Sequence, residues 1–432
     1  MRDKVETIQV RLALKKLGLK TDAWKELIKK MRAMNTEYGI KDLGEQNILI
    51  TTRKCNVLQI YITIYSFISD YMDEYFPLEK SILEKDKSCV LPIETEVESA
   101  TYLFYSTRLA ILQTIPTCLD QIRQYFININ LFYNPNYINY LYFDEQLEDM
   151  LKISTKEYTD ILNSDIVNYI REQILQGKYI SIHLDECYLH EKDCYHKNHF
   201  VHDSLIYGFE DQKNVFQCYG FTKNQKVKCF EVTYEELLYG YEKGKLFYFC
   251  GASYLEKNGY YPITLYSLKK DMEKYELFSY DIFKEKVNQF LNPRKSEMVQ
   301  GDLHVYGCNV YQVILDEMLQ KTKRGIVDFR IFQLLMEQKQ CILKRMEYLL
   351  TIEKKENNLK SIIEEYRGVV KKFQKVRILY LKELCKEGYG NSLDKRIDNS
   401  RINQHLVEEI ICGSQMEKEC LKNFYSGYYR SF

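Results

Sequence analysis

The central stretch of the chain, residues 184–221, decides its fold and reads LDECYLHEKDCYHKNHFVHDSLIYGFEDQKNVFQCYGF. Runs rich in β-branched and aromatic residues begin just before this stretch and continue beyond it, and polar turn residues separate them. They predict four strands, at Tyr179–Leu184, Ser204–Phe209, Val215–Phe221 and Lys226–Val232. The polar run 210–214 has the length of a hairpin loop, so the second and third strands are expected to be neighbours.

Helical patterns lie on both sides of these strands. Thr233 is a suitable N-cap and Glu236 stands three residues later, which predicts a capped helix over Tyr234–Tyr241. An earlier helix is predicted at Ser99–Leu112. Helices outside a run of consecutive strands indicate the α+β class.

The C-terminal part of the chain reads as a bundle of long helices. After Pro293 the remaining 139 residues contain no proline, and apolar residues recur at helical spacing from Ile331 to Leu384. Such spacing gives each helix one apolar face that packs against its neighbours.

The chain has 432 residues, which exceeds the usual size of one domain. Three parts are expected from its changes in pattern. Residues 1–80 are predicted to form a helical segment, because apolar residues such as Val5 and Ile8 precede a break at Gly18. Residues 85–265 are expected to form the α+β domain, and residues 270–432 the helical C-terminal domain.

Composition restricts the partners and the compartment. The 61 basic residues balance the 61 acidic ones, so the chain as a whole has no charge that would attract nucleic acid or an anionic membrane. We therefore expect no nucleic-acid partner and no membrane span. The 13 irregularly spaced cysteines and the absence of a signal-like start predict free thiols in the cytoplasm. No pattern in the sequence requires a cofactor.

One region departs from this neutrality. Between Lys321 and Gly390 there are 17 Lys and Arg residues against 9 Asp and Glu residues. This basic helical region could bind an acidic carrier protein or a peptide. The alternative is a solvated helix face with no partner.

Histidines are concentrated in one short segment. Five of the seven lie between residues 183 and 202, together with two cysteines. A zinc site would use the set His183, Cys187, His190 and Cys194, because zinc prefers thiolate and imidazole ligands. A thiol nucleophile at Cys187 is a second interpretation, since such a thiol needs a nearby imidazole to take its proton.

The histidine segment and the strands after it carry a family resemblance. His202 opens a strand that reads HDSLIYGF and ends near Gly208, and a return strand VFQCYG follows. This arrangement resembles the papain-like cysteine peptidase domain of bacteriocin-exporting transporters. It resembles more closely the N-terminal domain of butirosin biosynthesis protein H and its relatives. VYGCNVYQVILDEMLQ, from residue 305, is similar to the helical part of the same relatives.

The resemblance implies a papain-like cysteine-peptidase-type core with a helical C-terminal bundle. It assigns the catalytic histidine to His202. In the relatives, a carboxylate at the end of the return strand orients that histidine, but Tyr219 stands there in this chain. Asp203 or Asp185 is expected to replace the missing acid.

The nucleophile and the binding residues follow from the same comparison. The relatives place a cysteine at the start of the early helix, where this chain has Ser99 instead. Ser99 is therefore the candidate nucleophile at that position, with Thr101 as the alternative, although a hydroxyl needs a strong base beside it. The further residues expected to bind a ligand are His199, Tyr207 and Tyr219.

Three functions are compatible with these patterns. The first is an accessory protein of peptide or aminoacyl natural-product biosynthesis, acting as a papain-like acyltransferase or peptidase with His202 as base. The second is a catalytically degenerate relative that binds a peptide or a carrier protein. The third is a zinc-dependent hydrolase that uses the histidine cluster from His183 to His202.

Overall fold

The computed structural model describes residues 4–8, 39–42, 48–52, 87–133, 140–144, 147, 150–156, 166–257, 261–268, 277–299, 302–319, 328–352, 356–386 and 404–427. The strands in these ranges are β1 Lys4–Ile8, β2 Gly39–Asp42, β3 Ile48–Thr52, β4 Ser88–Val90, β5 Ile129–Tyr133, β6 Tyr140–Phe143, β7 Leu151–Lys156, β8 Tyr179–Asp185, β9 Val201–Glu210, β10 Val215–Thr222, β11 Lys226–Thr233, β12 Ile263–Leu268, β13 Glu297–Val299 and β14 Asp302–Tyr306. The helices are α1 Leu103–Leu112, α2 Pro116–Arg123, α3 Ile166–Leu175, α4 Tyr234–Lys257, α5 Tyr280–Leu291, α6 Val310–Leu319, α7 Phe329–Ile352, α8 Glu356–Lys386 and α9 Gln404–Gly427.

Helices and antiparallel sheets make this an α+β protein, as the sequence predicts. The chain divides into two compact units, each built from two separate segments. The first unit contains residues 1–95 and 151–269, and the second contains residues 96–150 and 270–432. Among the described residues, no helix is both long enough and apolar enough to cross a membrane.

The first unit is organised around a sheet with the strand order β11-β10-β9-β8-β12-β7, and β4 pairs with β9. The four strands predicted from the sequence are β8 to β11, each within a few residues of its expected bounds. Helices α3 and α4 pack against β8, so this strand is buried along most of its length. At Gly208, a Cβ atom would lie 3.0 Å from the carbonyl oxygen of Cys89, so the close approach of β4 favours a glycine.

The predicted N-cap of α4 is confirmed. Glu236 N donates to Thr233 Oγ1 at 3.1 Å, and Thr233 N donates to Glu236 Oε2 at 2.9 Å. This reciprocal pair is a capping box, and it satisfies backbone donors that a helix start leaves open. The helix continues to Lys257, well beyond the predicted end at Tyr241.

The N-terminal residues differ from the helical prediction where the structure describes them. Strands β1, β3 and β2 form a small antiparallel sheet in that order. Val5 and Ile8 lie on β1 and pair with β3, because β-branched residues favour a strand when a partner supplies its hydrogen bonds. The remainder of the predicted helical segment 1–80 lies outside the described residues.

The second unit joins the C-terminal helices to residues that precede the central sheet. Strand β5 pairs with β14, and the sheet has the order β13-β14-β5-β6. Residues 96–150 therefore group with residues 270–432 and not with the expected domain 85–265. The predicted bundle of long helices is present, since α7 packs against α8 and α8 packs against α9.

Candidate functional site

Asp185 lies at the end of β8 and is completely buried. Its side-chain oxygens accept three hydrogen bonds, from His199 Nδ1 at 2.6 Å, from Cys187 N at 3.1 Å and from Phe200 N at 3.1 Å. The carboxylate thus connects the turn after β8 with the segment that enters β9. Helix α4 comes close enough that a Cβ atom on Gly240 would lie 3.4 Å from the Asp185 carbonyl oxygen.

His199 is the partner of this carboxylate, and its side chain is 5% exposed. Because Nδ1 faces the carboxylate, the neutral ring carries its proton on Nδ1, which makes Nε2 the proton acceptor. The Tyr188 ring lies 5.9 Å from the imidazole, measured between centroids. A buried carboxylate on Nδ1 is the arrangement that fixes the tautomer and orientation of a histidine base in catalytic triads.

His202, the base predicted from the resemblance, has different surroundings. Its side chain is 31% exposed, with Nδ1 3.4 Å from Glu186 Oε1 and Nε2 3.7 Å from Asp203 Oδ1. Burial lowers its pKa, but the hydrogen bond to Glu186 and the charge of Asp203 outweigh burial and raise the pKa above the ordinary value. A raised pKa favours the imidazolium form, which cannot accept a proton.

Strand geometry corrects the expectation that Asp185 orients His202. In the register of β8 with β9, Leu184 faces His202 and Asp185 faces Val201. Successive side chains of a strand point to opposite faces, so Asp185 and His202 lie on opposite faces of the sheet. Asp185 orients His199 instead, and Asp203 lies too far from His202 for a normal hydrogen bond.

Two charged residues that sequence reasoning missed complete the surroundings of His202. Lys192 is 1% exposed; its Nζ lies 3.1 Å from Glu186 Oε1 and donates to Ser204 Oγ at 3.1 Å. Burial raises the pKa of Glu186, but Lys192 and His202 lower it by more, so the carboxylate stays charged. The sequence could have indicated Glu186, because it comes two residues after Leu184 and so shares a face with Leu184 and His202.

The predicted zinc ligands do not assemble. Within the described ranges, which include all four residues, no group of three His, Cys, Asp or Glu side chains is placed to hold a metal ion. His190 Nδ1 lies 2.6 Å from Glu236 Oε1, at the start of α4. Burial raises the pKa of Cys194 to about 12, assisted by Glu186 and Asp185, and this opposes formation of a thiolate ligand. Burial also lowers the pKa of His183.

Ser99, the predicted nucleophile, belongs to the second unit and is completely buried. Its hydroxyl donates to Glu337 Oε2 at 2.6 Å, and the Thr101 hydroxyl donates to the same oxygen at 2.7 Å. The partner of Ser99 is therefore a carboxylate on α7. Helix α1 also begins at Leu103, four residues after the predicted start.

The two predicted binding tyrosines lie on neighbouring strands. Tyr219 on β10 is completely buried, and Tyr207 on β9 is half-buried. Burial and a hydrogen bond with Cys229 raise the pKa of the Tyr207 hydroxyl. Tyr219 is thus a core residue of the sheet, while Tyr207 retains partial exposure.

Comparison with known proteins gives no match, either to a protein-family model or to a curated protein sequence. The geometry of the site is therefore the basis for a functional proposal.

Proposed function

We propose that this chain catalyses acyl transfer with a papain-like arrangement in which His199 is the general base and Asp185 is the residue that orients it. The observation that carries the proposal is the contact of 2.6 Å between His199 Nδ1 and the buried Asp185 carboxylate. The resemblance to the butirosin biosynthesis protein H family suggests the substrate class, an aminoacyl or peptidyl thioester on a carrier protein. The activity belongs to the same accessory role in biosynthesis that the sequence suggested.

His199 performs one task in this reaction. Its Nε2 takes the proton of the attacking group and returns it to the sulfur that leaves the thioester. Asp185 keeps the ring in the tautomer that permits this transfer and stabilises the imidazolium that forms. Because Asp185 also accepts the amide protons of Cys187 and Phe200, its own position is fixed from both sides.

The test is release of thiol from an aminoacyl N-acetylcysteamine thioester by the full chain. We expect His199→Ala to reduce the rate by about 100-fold or more, the usual contribution of a general base. His405→Ala is the matched control, because that imidazole lies about half exposed on α9 of the second unit, and its loss should leave the rate unchanged. Equal rates for the wild type and His199→Ala would contradict the proposal.

A second candidate is a protein that binds its partner without reacting. The specific observation in its favour is that the His202 ring is paired with Glu186 and Asp203, and Glu186 in turn with buried Lys192. In this candidate, the charged His202 imidazole and the carboxylates around it stabilise the strand ends. This candidate predicts tight binding of an acyl-loaded carrier protein, measured by fluorescence anisotropy. It also predicts that neither the wild type nor His199→Ala releases thiol faster than the uncatalysed reaction.

A further inference from the structure

The four-stranded sheet of the second unit, with the order β13-β14-β5-β6, has two different faces. Successive residues of a strand point to opposite faces, and residues directly opposite each other on neighbouring strands point to the same face. One face carries Leu131, Leu141 and Val305, which are at most 2% exposed and belong to the core. The residues that alternate with them lie on the other face.

This other face is an aromatic platform, defined by the rings of Tyr140 and Tyr142 on β6, Phe132 on β5, and His304 and Tyr306 on β14. The Phe132 centroid lies 4.2 Å from that of His304 and 5.1 Å from that of Tyr142. Tyr306 is buried, whereas the other rings are half-buried and retain surface that a ligand can contact. Because the three strands together span about 10 Å, the platform suits an extended ligand better than a single small ring.

Asn130 lies within the platform, between Tyr142 and Tyr306 in the register of the strands. It is 7% exposed, and its buried Oδ1 has no hydrogen-bond partner among the described residues. The Tyr102 hydroxyl is also buried without a partner in this part of the chain, and its ring stacks on Tyr142 with 5.2 Å between centroids. A buried polar atom without a partner costs folding free energy, so it indicates a bound group that completes its hydrogen bonds.

Two arginines border the platform, and each is paired with a carboxylate. Arg330 donates to Asp328 through Nε at 2.9 Å and Nη2 at 2.6 Å, and Arg294 Nη2 donates to Asp144 Oδ1 at 3.4 Å. The guanidinium groups lie 5.0 and 3.7 Å from ring centroids of the platform. The border can therefore donate and accept hydrogen bonds, but its charges are balanced locally.

We propose that the aromatic platform binds a neutral oligosaccharide. The C–H groups of a sugar ring are weakly positive and pack against the negative face of an aromatic ring. Sugar hydroxyls both donate and accept, so they can donate to Asn130 Oδ1 and bond with the arginine–aspartate pairs of the border. The inference does not depend on acyl transfer, because all of these residues belong to the second unit.

A single-stranded nucleic acid could stack its bases on the same rings. Its phosphates, however, require basic side chains that are free to neutralise them. Here Arg330 and Arg294 are already paired, and the Asp328 and Asp144 carboxylates would repel a phosphate. The charges of the border thus favour a neutral ligand.

The experiment measures binding to the full chain by isothermal titration calorimetry, with cellohexaose, laminarihexaose, mannohexaose and chitohexaose as the sugar probes. A short oligothymidine is the nucleic-acid probe. We expect at least one of the hexasaccharides to bind with a dissociation constant below about 1 mM, and the oligothymidine not to bind.

Three variants test the site. Phe132→Leu removes a ring of the platform but keeps an apolar side chain, and it should weaken sugar binding about tenfold. Asn130→Leu should also weaken binding about tenfold without lowering the melting temperature, because the amide oxygen that it removes has no partner in the described chain. Tyr425→Ala is the matched control, since this exposed ring lies on α9 outside the platform, and binding should not change.

Three outcomes overturn the inference. The first is that none of the hexasaccharides binds at about 1 mM. The second is sugar binding that Phe132→Leu and Asn130→Leu leave unchanged while circular dichroism shows both variants to be folded. The third is oligothymidine binding that Phe132→Leu weakens, which would assign the platform to nucleic acid. If Phe132→Leu unfolds the chain, Tyr140→Leu takes its place in both comparisons, because Tyr140 is half-buried at the edge strand of the platform.

Discussion

At the scale of residues, the site contains two imidazoles that have different carboxylate partners and different exposure. His199 is buried against Asp185, whereas His202 is partly exposed and lies close to Glu186 and Asp203. In the first environment, the buried carboxylate holds the ring in one orientation. The second suits a histidine whose positive charge is part of a permanent charge network.

The pH dependence of stability tests the second environment. The folded-state pKa of His202 is raised above the ordinary value of 6.5, so its contribution to stability is complete below about pH 6.5 and is lost as pH rises through the raised value. The free energy of unfolding of the wild type should exceed that of His202→Gln most at low pH. Thermal unfolding from pH 5 to 9 measures this difference.

His183 should show the opposite pH dependence of stability, and it is therefore the control for the His202 prediction. Burial lowers its folded-state pKa, so its contribution is present above about pH 6.5 and is lost as pH falls below that value. The loss of stability caused by His183→Gln should therefore be smallest at low pH, whereas the loss caused by His202→Gln should be largest there. Parallel curves for the two variants would contradict these assignments.

Ser99 should be a structural residue. Ser99→Ala removes the hydrogen bond to the Glu337 carboxylate and should lower the free energy of unfolding by about 1.5–3 kcal/mol, the usual contribution of a bond to a charged group. Thiol release from the thioester should not change. Ser426→Ala, on an exposed position of α9, is the control for stability, and loss of release in Ser99→Ala would restore Ser99 as the nucleophile.

At the scale of elements, β8, β9 and the turn between them carry the functional groups, and α4 supports that turn. Glu236 serves two structures at once, since it completes the capping box of α4 and accepts hydrogen bonds from the amide and the ring of His190. The helix start and the histidine loop are therefore mechanically linked through one side chain.

Loss of the cap should affect stability more than reactivity. Thr233→Ala removes one half of the capping box and should cost about 1 kcal/mol in the free energy of unfolding, measured with urea. Thr233→Ser keeps the hydroxyl and should retain most of the stability. Equal losses in the two variants would show that the methyl packing of Thr233, and not its hydrogen bond, stabilises the helix.

At the scale of the whole molecule, each unit is assembled from two segments that are distant in the sequence. In the second unit, some of the basic residues predicted to attract a partner are paired internally. Arg345 contacts Glu98, while Lys372 and Lys375 contact Glu409. These three side chains already have acidic partners within the unit.

The bundle is centred on a buried ion pair. Lys339 and Glu417 are both completely buried, with 2.9 Å between Lys339 Nζ and Glu417 Oε1, and Tyr311 and Tyr366 donate to the same carboxylate. Burial lowers the pKa of Lys339, and Glu417 opposes this shift. The pair therefore depends on both partners.

Removing one partner should be severe. Lys339→Met leaves the Glu417 charge buried and should cost about 3–5 kcal/mol in the free energy of unfolding, measured by urea denaturation. The double variant Lys339→Met, Glu417→Gln should recover much of this loss, because the glutamine is neutral and its one carbonyl oxygen can still accept from one of the two tyrosines. A double variant as unstable as Lys339→Met would contradict this account.

The sequence by itself determined the features that depend on neighbouring residues. The alternation of residues 179–233 predicted β8 to β11, and the Thr233–Glu236 spacing predicted the start of α4, since strand pattern and helix capping are local properties. Local pattern also placed the histidine cluster at the end of β8, in the loop that follows and at the start of β9. The helical bundle followed from apolar spacing in the same way.

Only the tertiary structure decided which side chains meet. Asp185 lies on the face of the sheet opposite to His202 because the register of β8 with β9 sets their faces, and it contacts His199 instead. Ser99 meets Glu337 within a unit that groups residues 96–150 with residues 270–432. Such contacts depend on the path of the chain between the partners, which a local pattern does not encode.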